Sequence, residues 1–175
     1  FFAATRSGHV RLSNRNLPAG ASLEASSKMI KPERLVNVEP ALPQHVPQSI
    51  LAVTVADERV LAMAKAMGAE RPRGWTQIEQ VIERLRDHVT HDTETRRGEA
   101  SVEAVVDVLF GSRRGTDYEI ASAAVMLLRS LEYPTRLVSG FFAHADDVDP
   151  RSGRAPLRAE NTHYWLEVRL ADGTW

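Results

Sequence analysis

After residue 50 the apolar residues recur at helical spacing through most of the chain, whereas the first fifty residues carry no sustained period. In that opening stretch Pro18, Pro32, Pro40, Pro43 and Pro47 each remove a backbone donor and disfavour helix before them. An extended arm is expected there, with one or two short strands such as Arg34–Pro40. The segment 56–68, ADERVLAMAKAMG, holds good helix formers and stops at Gly68, read as a C-cap. In the next segment Ile78, Val81, Ile82, Leu85 and Val89 share one face, and Thr76 and Glu79 have capping-box spacing. A third, short helix follows Ser101, the expected N-cap, with Glu103 in its first turn.

A fourth helix is predicted from about Asp117 to about Tyr133, with Ile120, Ala123, Ala124, Leu127, Leu128 and Leu131 in phase and Pro134 as its stop. The pattern then changes period. Residues 135–142 are rich in strand formers, and in 162–170 His163, Trp165, Glu167 and Arg169 alternate with Tyr164, Leu166, Val168 and Leu170. One face of that strand is therefore apolar, and His163 lies on the other. Asp172-Gly173 after it signals a hairpin turn, with Trp175 at the start of a returning strand. The chain has no internal repeat. Helices followed by strand segments read as an α+β domain, residues 51–175, behind an N-terminal arm, residues 1–50.

Composition narrows the function classes only a little. With 43% hydrophobic and 26% charged residues, 175 residues can bury one sizeable core. The 22 basic and 23 acidic residues are mixed along the chain, so nothing in the charge invites nucleic acid. No apolar run is long enough to span a membrane. The absence of cysteine rules out a thiol nucleophile, a disulfide and a thiolate metal site. Because the chain opens on Phe1, it is expected to be a piece of something longer.

Arg113-Arg114-Gly115, a helix opening two residues later, ASAAVMLLRSLEYPTRLVSGFF, a variable loop and HYWLEVRLADGTW together form an order that resembles the core of bacterial transglutaminase-like proteins, relatives of papain-type thiol enzymes. The resemblance covers roughly residues 45–175 and is strongest from 109 onward. It implies a helical layer packed on an antiparallel sheet, with a Cys at the start of a buried helix, a His on the adjacent strand and an Asp on the strand after it. A helix N-terminus and a neighbouring imidazolium both favour thiolate over thiol, which is the physical basis of that design. His163 falls at the family's histidine, but Asp117 stands where the family has its Cys, and the third residue would lie beyond Trp175. Glu119 replaces a residue that is often His, and Tyr118 replaces an acidic one. Trp165 and Glu167 are neighbours that the family tends to share.

The sequence therefore offers Asp117 and His163 as site residues, with Trp165, Glu167, Tyr118 and Glu119 as cleft candidates, and calls for no cofactor. Asp117 itself is read as a helix N-cap, since a carboxylate is a poor attacker of amides. The leading expectation is a catalytically degenerate domain, a pseudoenzyme whose cleft binds a peptide or protein segment or which serves as a module of a larger protein. The alternatives are a hydrolase or transferase using another nucleophile or a metal at Asp117 and His163, and a structural fragment of an assembly. The resemblance points to an extracytoplasmic portion of a larger, membrane-anchored bacterial protein.

Three weaker patterns are noted. His88 and His91 have metal-ligand spacing but are expected to be a solvated helix terminus. Asp146, Asp147 and Asp149 resemble a calcium loop only superficially and are expected in a flexible surface loop. Arg113 and Arg114 are expected to pair with nearby carboxylates or solvent.

Overall fold

The computed structural model describes residues 2–4, 10–12, 20, 37–53, 57–92, 101–141, 146, 148–155 and 161–175. Two short strands, β1 (Phe2–Ala4) and β2 (Val10–Leu12), pair antiparallel. The expected strand at 34–40 falls partly outside the described residues, and within them only Pro40 forms a bridge, to Leu170. The rest comprises two single-turn 3-10 helices (Pro43–His45 and Gln48–Ile50), in a stretch expected to be extended, and then α1 (Glu58–Gly68), α2 (Trp75–His88), β3 (Thr90–His91), α3 (Val102–Phe110), β4 (Arg114–Gly115), α4 (Asp117–Ser130), β5 (Thr135–Phe141) and β6 (Thr162–Val168). The fold class is α+β, as the sequence predicts. Among the described residues no helix is long and apolar enough to cross a membrane.

Helix α1 is capped by Asp57, whose side chain accepts from the Arg59 N–H, and it buries Val60, Ala64 and Met67. Gly68 is its last helical residue and not its cap, which is Ala69. Gly68 is small because Gln77 packs on it: a Cβ there would sit 3.2 Å from Gln77 Cγ, and Gln77 Nε2 donates to its carbonyl at 2.9 Å. Helix α2 buries Ile78, Val81 and Leu85 as its period demands, but its N-cap is Gly74 and no side chain caps it. Thr76 lies inside the first turn, so the Thr76–Glu79 box is not made; Glu79 instead accepts from Trp75 Nε1 at 2.8 Å. Helix α3 is capped by Ser101 as expected, its Oγ accepting from the Ala104 N–H.

Helix α4 buries Ala121, Ala123, Ala124, Leu127 and Leu128 and, on its other sides, Val125 and Met126. A helix apolar on every side belongs at the centre of a domain. It ends at Ser130, short of the predicted Tyr133, because Glu132 turns into the left-handed region at φ 62°. Tyr133 thereby leaves the helix for the core, where it is fully buried. Its hydroxyl accepts the Gly74 N–H at 2.8 Å and donates to Gln77 Oε1 at 2.7 Å, so one phenol serves a backbone donor at the uncapped start of α2. Arg129 spans the other side of this junction, donating to the carbonyls of Thr135 and Ala52, and burial lowers its pKa.

Strands β5 and β6 pair antiparallel in the register Gly140↔His163, Val138↔Trp165 and Arg136↔Glu167. Residues 169 and 170, expected in the strand, lie outside it, and 142 is outside the described residues. After Leu170 the chain reverses: Gly173, at φ 87°, donates to the Leu170 carbonyl, and the Leu170 N–H donates to Thr174 O at 2.9 Å. Asp146 is exposed and Asp147 lies outside the described residues, while Asp149 accepts from the N–H groups of Arg151 and Ser152 as an ordinary turn residue.

Two stability predictions arise from the α4–α2 junction. Burial pushes the Tyr133 phenol above its ordinary pKa, so the fold favours the neutral ring. The resulting stabilisation is complete below the ordinary value of about 10 and is lost as pH rises through the higher folded value. Tyr133→Phe should remove that alkaline loss while costing about 1–2 kcal/mol at neutral pH in denaturant titrations, because Gly74 and Gln77 lose their partner. Glu132→Gly should stabilise the chain by up to about 1 kcal/mol in the same titrations, since glycine relieves the left-handed strain.

Candidate functional site

Three elements far apart in sequence converge on the first turn of α4. Strand β4 runs directly into that turn, and only glycine lets it do so: a Cβ on Gly115 would lie 2.7 Å from Val108 Cγ2 and 3.3 Å from Glu119 Cβ. The helix then starts under a capping box. The Thr116 N–H donates to Glu119 Oε2 at 2.8 Å, and Thr116 Oγ1 accepts from the Glu119 N–H at 3.5 Å. Thr116, not Asp117, is therefore the N-cap. With the backbone served by its neighbours, the Asp117 carboxylate in the first turn is turned outward to other partners.

Those partners are two imidazoles. Asp117 Oδ2 lies 2.5 Å from His163 Nδ1, and Asp117 Oδ1 lies 2.6 Å from His91 Nε2. A carboxylate only accepts, so the facing nitrogen of each ring must carry the proton. Either contact becomes an ion pair when its ring is protonated. All three side chains are partly exposed, and pairs of that kind contribute about 0–1 kcal/mol. Their interest is thus chemical more than stabilising.

Sequence reasoning pairs Asp117 with His163 and misses His91. Strand β3 supplies His91 through two parallel rungs, the Thr90 N–H to Arg113 O and the Asp92 N–H to Gly115 O, both 2.8 Å. The spacing of His88 and His91 hints at a joint role that the fold does not give them. His88 Nε2 instead meets the Leu109 carbonyl at 2.7 Å, so neither is a merely solvated helix terminus. Among the described residues no group of three or more His, Asp or Glu side chains is disposed to hold a metal ion. Arg114 pairs with Asp92 at 3.5 Å, beside this cluster.

The cluster sits at the rim of a cleft of about 860 Å³ between α2, α4 and β6. Its floor is apolar, formed by Ile78, Ile82, Leu85, Ala121, Ala124 and Leu166, and Trp165 and Glu167 line it with His163. Tyr118 and Glu119 do not. Tyr118 packs edge-on against Tyr164, with centroids 5.2 Å apart, and Glu119 is buried in the capping box. Glu167 accepts from Arg136 Nε and Nη2 at 2.8 and 2.5 Å, and Arg136 stacks on Trp175 at 4.0 Å.

No curated protein matches this sequence. Among solved structures, the fold is similar to the periplasmic domain of TgpA from Pseudomonas aeruginosa, with TM-score 0.58 and 18% identity over 74% of this chain and 46% of that one. The same domain bound to ethylmercury gives TM-score 0.59 and 19% identity over 73% and 45%. A candidate cysteine protease from Cytophaga hutchinsonii gives TM-score 0.55 and 14% identity, over 77% of this chain and 43% of that one. The chain thus spans less than half the length of these chains, and at such identities the likeness speaks for the fold alone. Residues 61–175, from the second turn of α1 through β6 and the turn after it, match the Transglutaminase-like superfamily, to which the chain therefore belongs.

Proposed function

We propose that this is a catalytically degenerate transglutaminase-like domain in which Asp117 occupies the nucleophile's place and the cleft beside it receives a peptide or protein segment. One observation carries the reading: the first-turn carboxylate of a buried helix meets the Nδ1 of a strand histidine at 2.5 Å, in a sequence that has no cysteine. A thiolate at that position would enjoy the same helix end and the same imidazole. The carboxylate replaces its charge without its nucleophilicity, because attack on an amide would lead to an uphill mixed anhydride. What remains is a charged rim over an apolar floor, the usual composition of a binding cleft.

Residues 51–175 would form the core and 1–50 an arm. The periplasmic setting of the TgpA domains supports an extracytoplasmic location for this domain as well. The alternative of a metal held by Asp117 and His163 gains no support from the described residues.

The unaltered chain should transfer no acyl group from a glutamine-containing peptide to an amine. Asp117→Cys should place a thiol in surroundings still suited to an anion. Mass spectrometry should find it alkylated by iodoacetamide about tenfold faster than free cysteine at neutral pH, and more slowly when His163→Ala is added. A thiol that reacts at the free-cysteine rate, with or without His163, would mean that position 117 is not the nucleophile's place.

A further inference from the structure

The turn after β6 is held by a segment that the sequence reads as a loose arm. Strand β5 begins at Thr135, opposite Val168, and one residue earlier the Arg169 N–H donates to the Pro134 carbonyl at 2.8 Å. An antiparallel pair bonded in this way normally exchanges two such bonds, but Pro134 has no N–H to return. The Ala41 N–H supplies the missing donor, reaching the Arg169 carbonyl at 2.8 Å, and the Ala171 N–H donates to the Glu39 carbonyl at 2.9 Å. Residues 39–41 thus take over the lane that β5 leaves. Pro40, bridged to Leu170 between those two bonds, stands where this ladder asks for no N–H. The segment is fastened again further on, where the Ala52 carbonyl accepts from Arg129 Nη1 at 2.8 Å while Nε and Nη2 of the same guanidinium hold the Thr135 carbonyl. Two single-turn 3-10 helices connect the fastenings, and none of their residues is buried.

What this segment grips is one end of the cleft. Leu170 lines the cleft, and its two chain neighbours, Arg169 and Ala171, are the residues bonded to Ala41 and Glu39. Leu170 also closes the turn, its N–H donating to the Thr174 carbonyl and its own carbonyl accepting from Gly173. The turn in turn sets where Trp175 lies along the cleft wall, under Arg136 at 4.0 Å and Arg169 at 5.3 Å. We propose that residues 37–53 are a releasable strap: lifting residues 39–41 frees the turn at 170–174 and Trp175, and so loosens that end of the cleft, while the helical core stays folded. Two observations make it releasable. Its grip on the turn consists of two backbone hydrogen bonds and the buried methyl of Ala41. Ala41 and Leu170 both pack outside the main core, which the four helices form with Val89, Tyr133 and Val168. A junction held by so little opens locally before the whole molecule does.

The test is amide hydrogen exchange, followed by NMR on the isotope-labelled 175-residue chain. In the unaltered chain the Ala41 and Ala171 N–H groups should exchange at least about tenfold slower than unprotected amides, yet faster than buried α4 amides such as that of Leu127. Ala41→Pro removes the donor to Arg169. It should speed exchange at Ala171, Leu170 and Gly173 by about tenfold and shift the Trp175 indole signal, with Leu127 unchanged. The Leu170 and Gly173 bonds lie within the turn and are not touched by the substitution, so their loosening reports the grip of the strap. Ala41→Gly, which keeps the N–H, should preserve most of the protection in the turn. An unprotected Ala171 in the unaltered chain would overturn the proposal, as would a turn and a Trp175 signal that Ala41→Pro leaves unmoved. Acceleration of Leu127 by the same factor, or loss of the dispersed amide spectrum in Ala41→Pro, would overturn it too, since the segment would then be part of the core and no strap.

Discussion

Helix α4 is buried on nearly every side, and a helix in that position must settle the polar groups at both of its ends within the protein. At the C-terminal end the left-handed turn at Glu132 lets Tyr133 drop into the core, and the tyrosine hydroxyl in turn serves the start of α2. At the N-terminal end the Thr116–Glu119 box closes the first turn and pulls a glutamate into the interior. The remaining acidic residue of that turn, Asp117, faces the cleft. Site and scaffold thus share one cause: the same burial that demands a capped helix puts a carboxylate where two histidines reach it.

The two histidines arrive by different routes. His163 comes with β6, whose register against β5 sets Gly140 opposite it and leaves space for Trp165 to lie across the strand. His91 comes with a two-residue strand held by parallel rungs to β4, and β4 is itself fixed by the close approach of Gly115 to α3 and α4. The carboxylate therefore ties together segments that share no local structure. Such a junction costs little and stabilises little at this exposure, and it fixes which nitrogen of each ring carries a proton.

Much of this was legible in the sequence because periodicity reports burial directly. The apolar stripes of α2 and α4 and the alternation in β6 appear where the pattern puts them, although α4 stops at Ser130 and β6 at Val168. Caps were harder, because the same Thr-x-x-Glu spacing occurs at Thr76–Glu79 and at Thr116–Glu119, and only the second is used. The first fails because Gly74 starts the helix two residues earlier and Trp75 takes the glutamate. Asp117 and His163 could be paired through the family resemblance. His91 could not, since a two-residue parallel pairing between distant segments leaves no periodic trace. The path of Trp165 across Gly140 is likewise a matter of diagonal contact between strands, which alternation alone does not reveal.

The account stands on the Asp117 carboxylate bridging His163 and His91, and long-range nitrogen–proton NMR of the histidine rings tests it most directly. In its neutral form the His163 ring should carry its proton on Nδ1 and the His91 ring on Nε2. In Asp117→Ala the His163 ring should revert to a tautomer mixture dominated by Nε2–H. A His163 ring that bears its proton on Nε2 in the unaltered chain, and does not respond to Asp117→Ala, would contradict the bridge and the site built upon it.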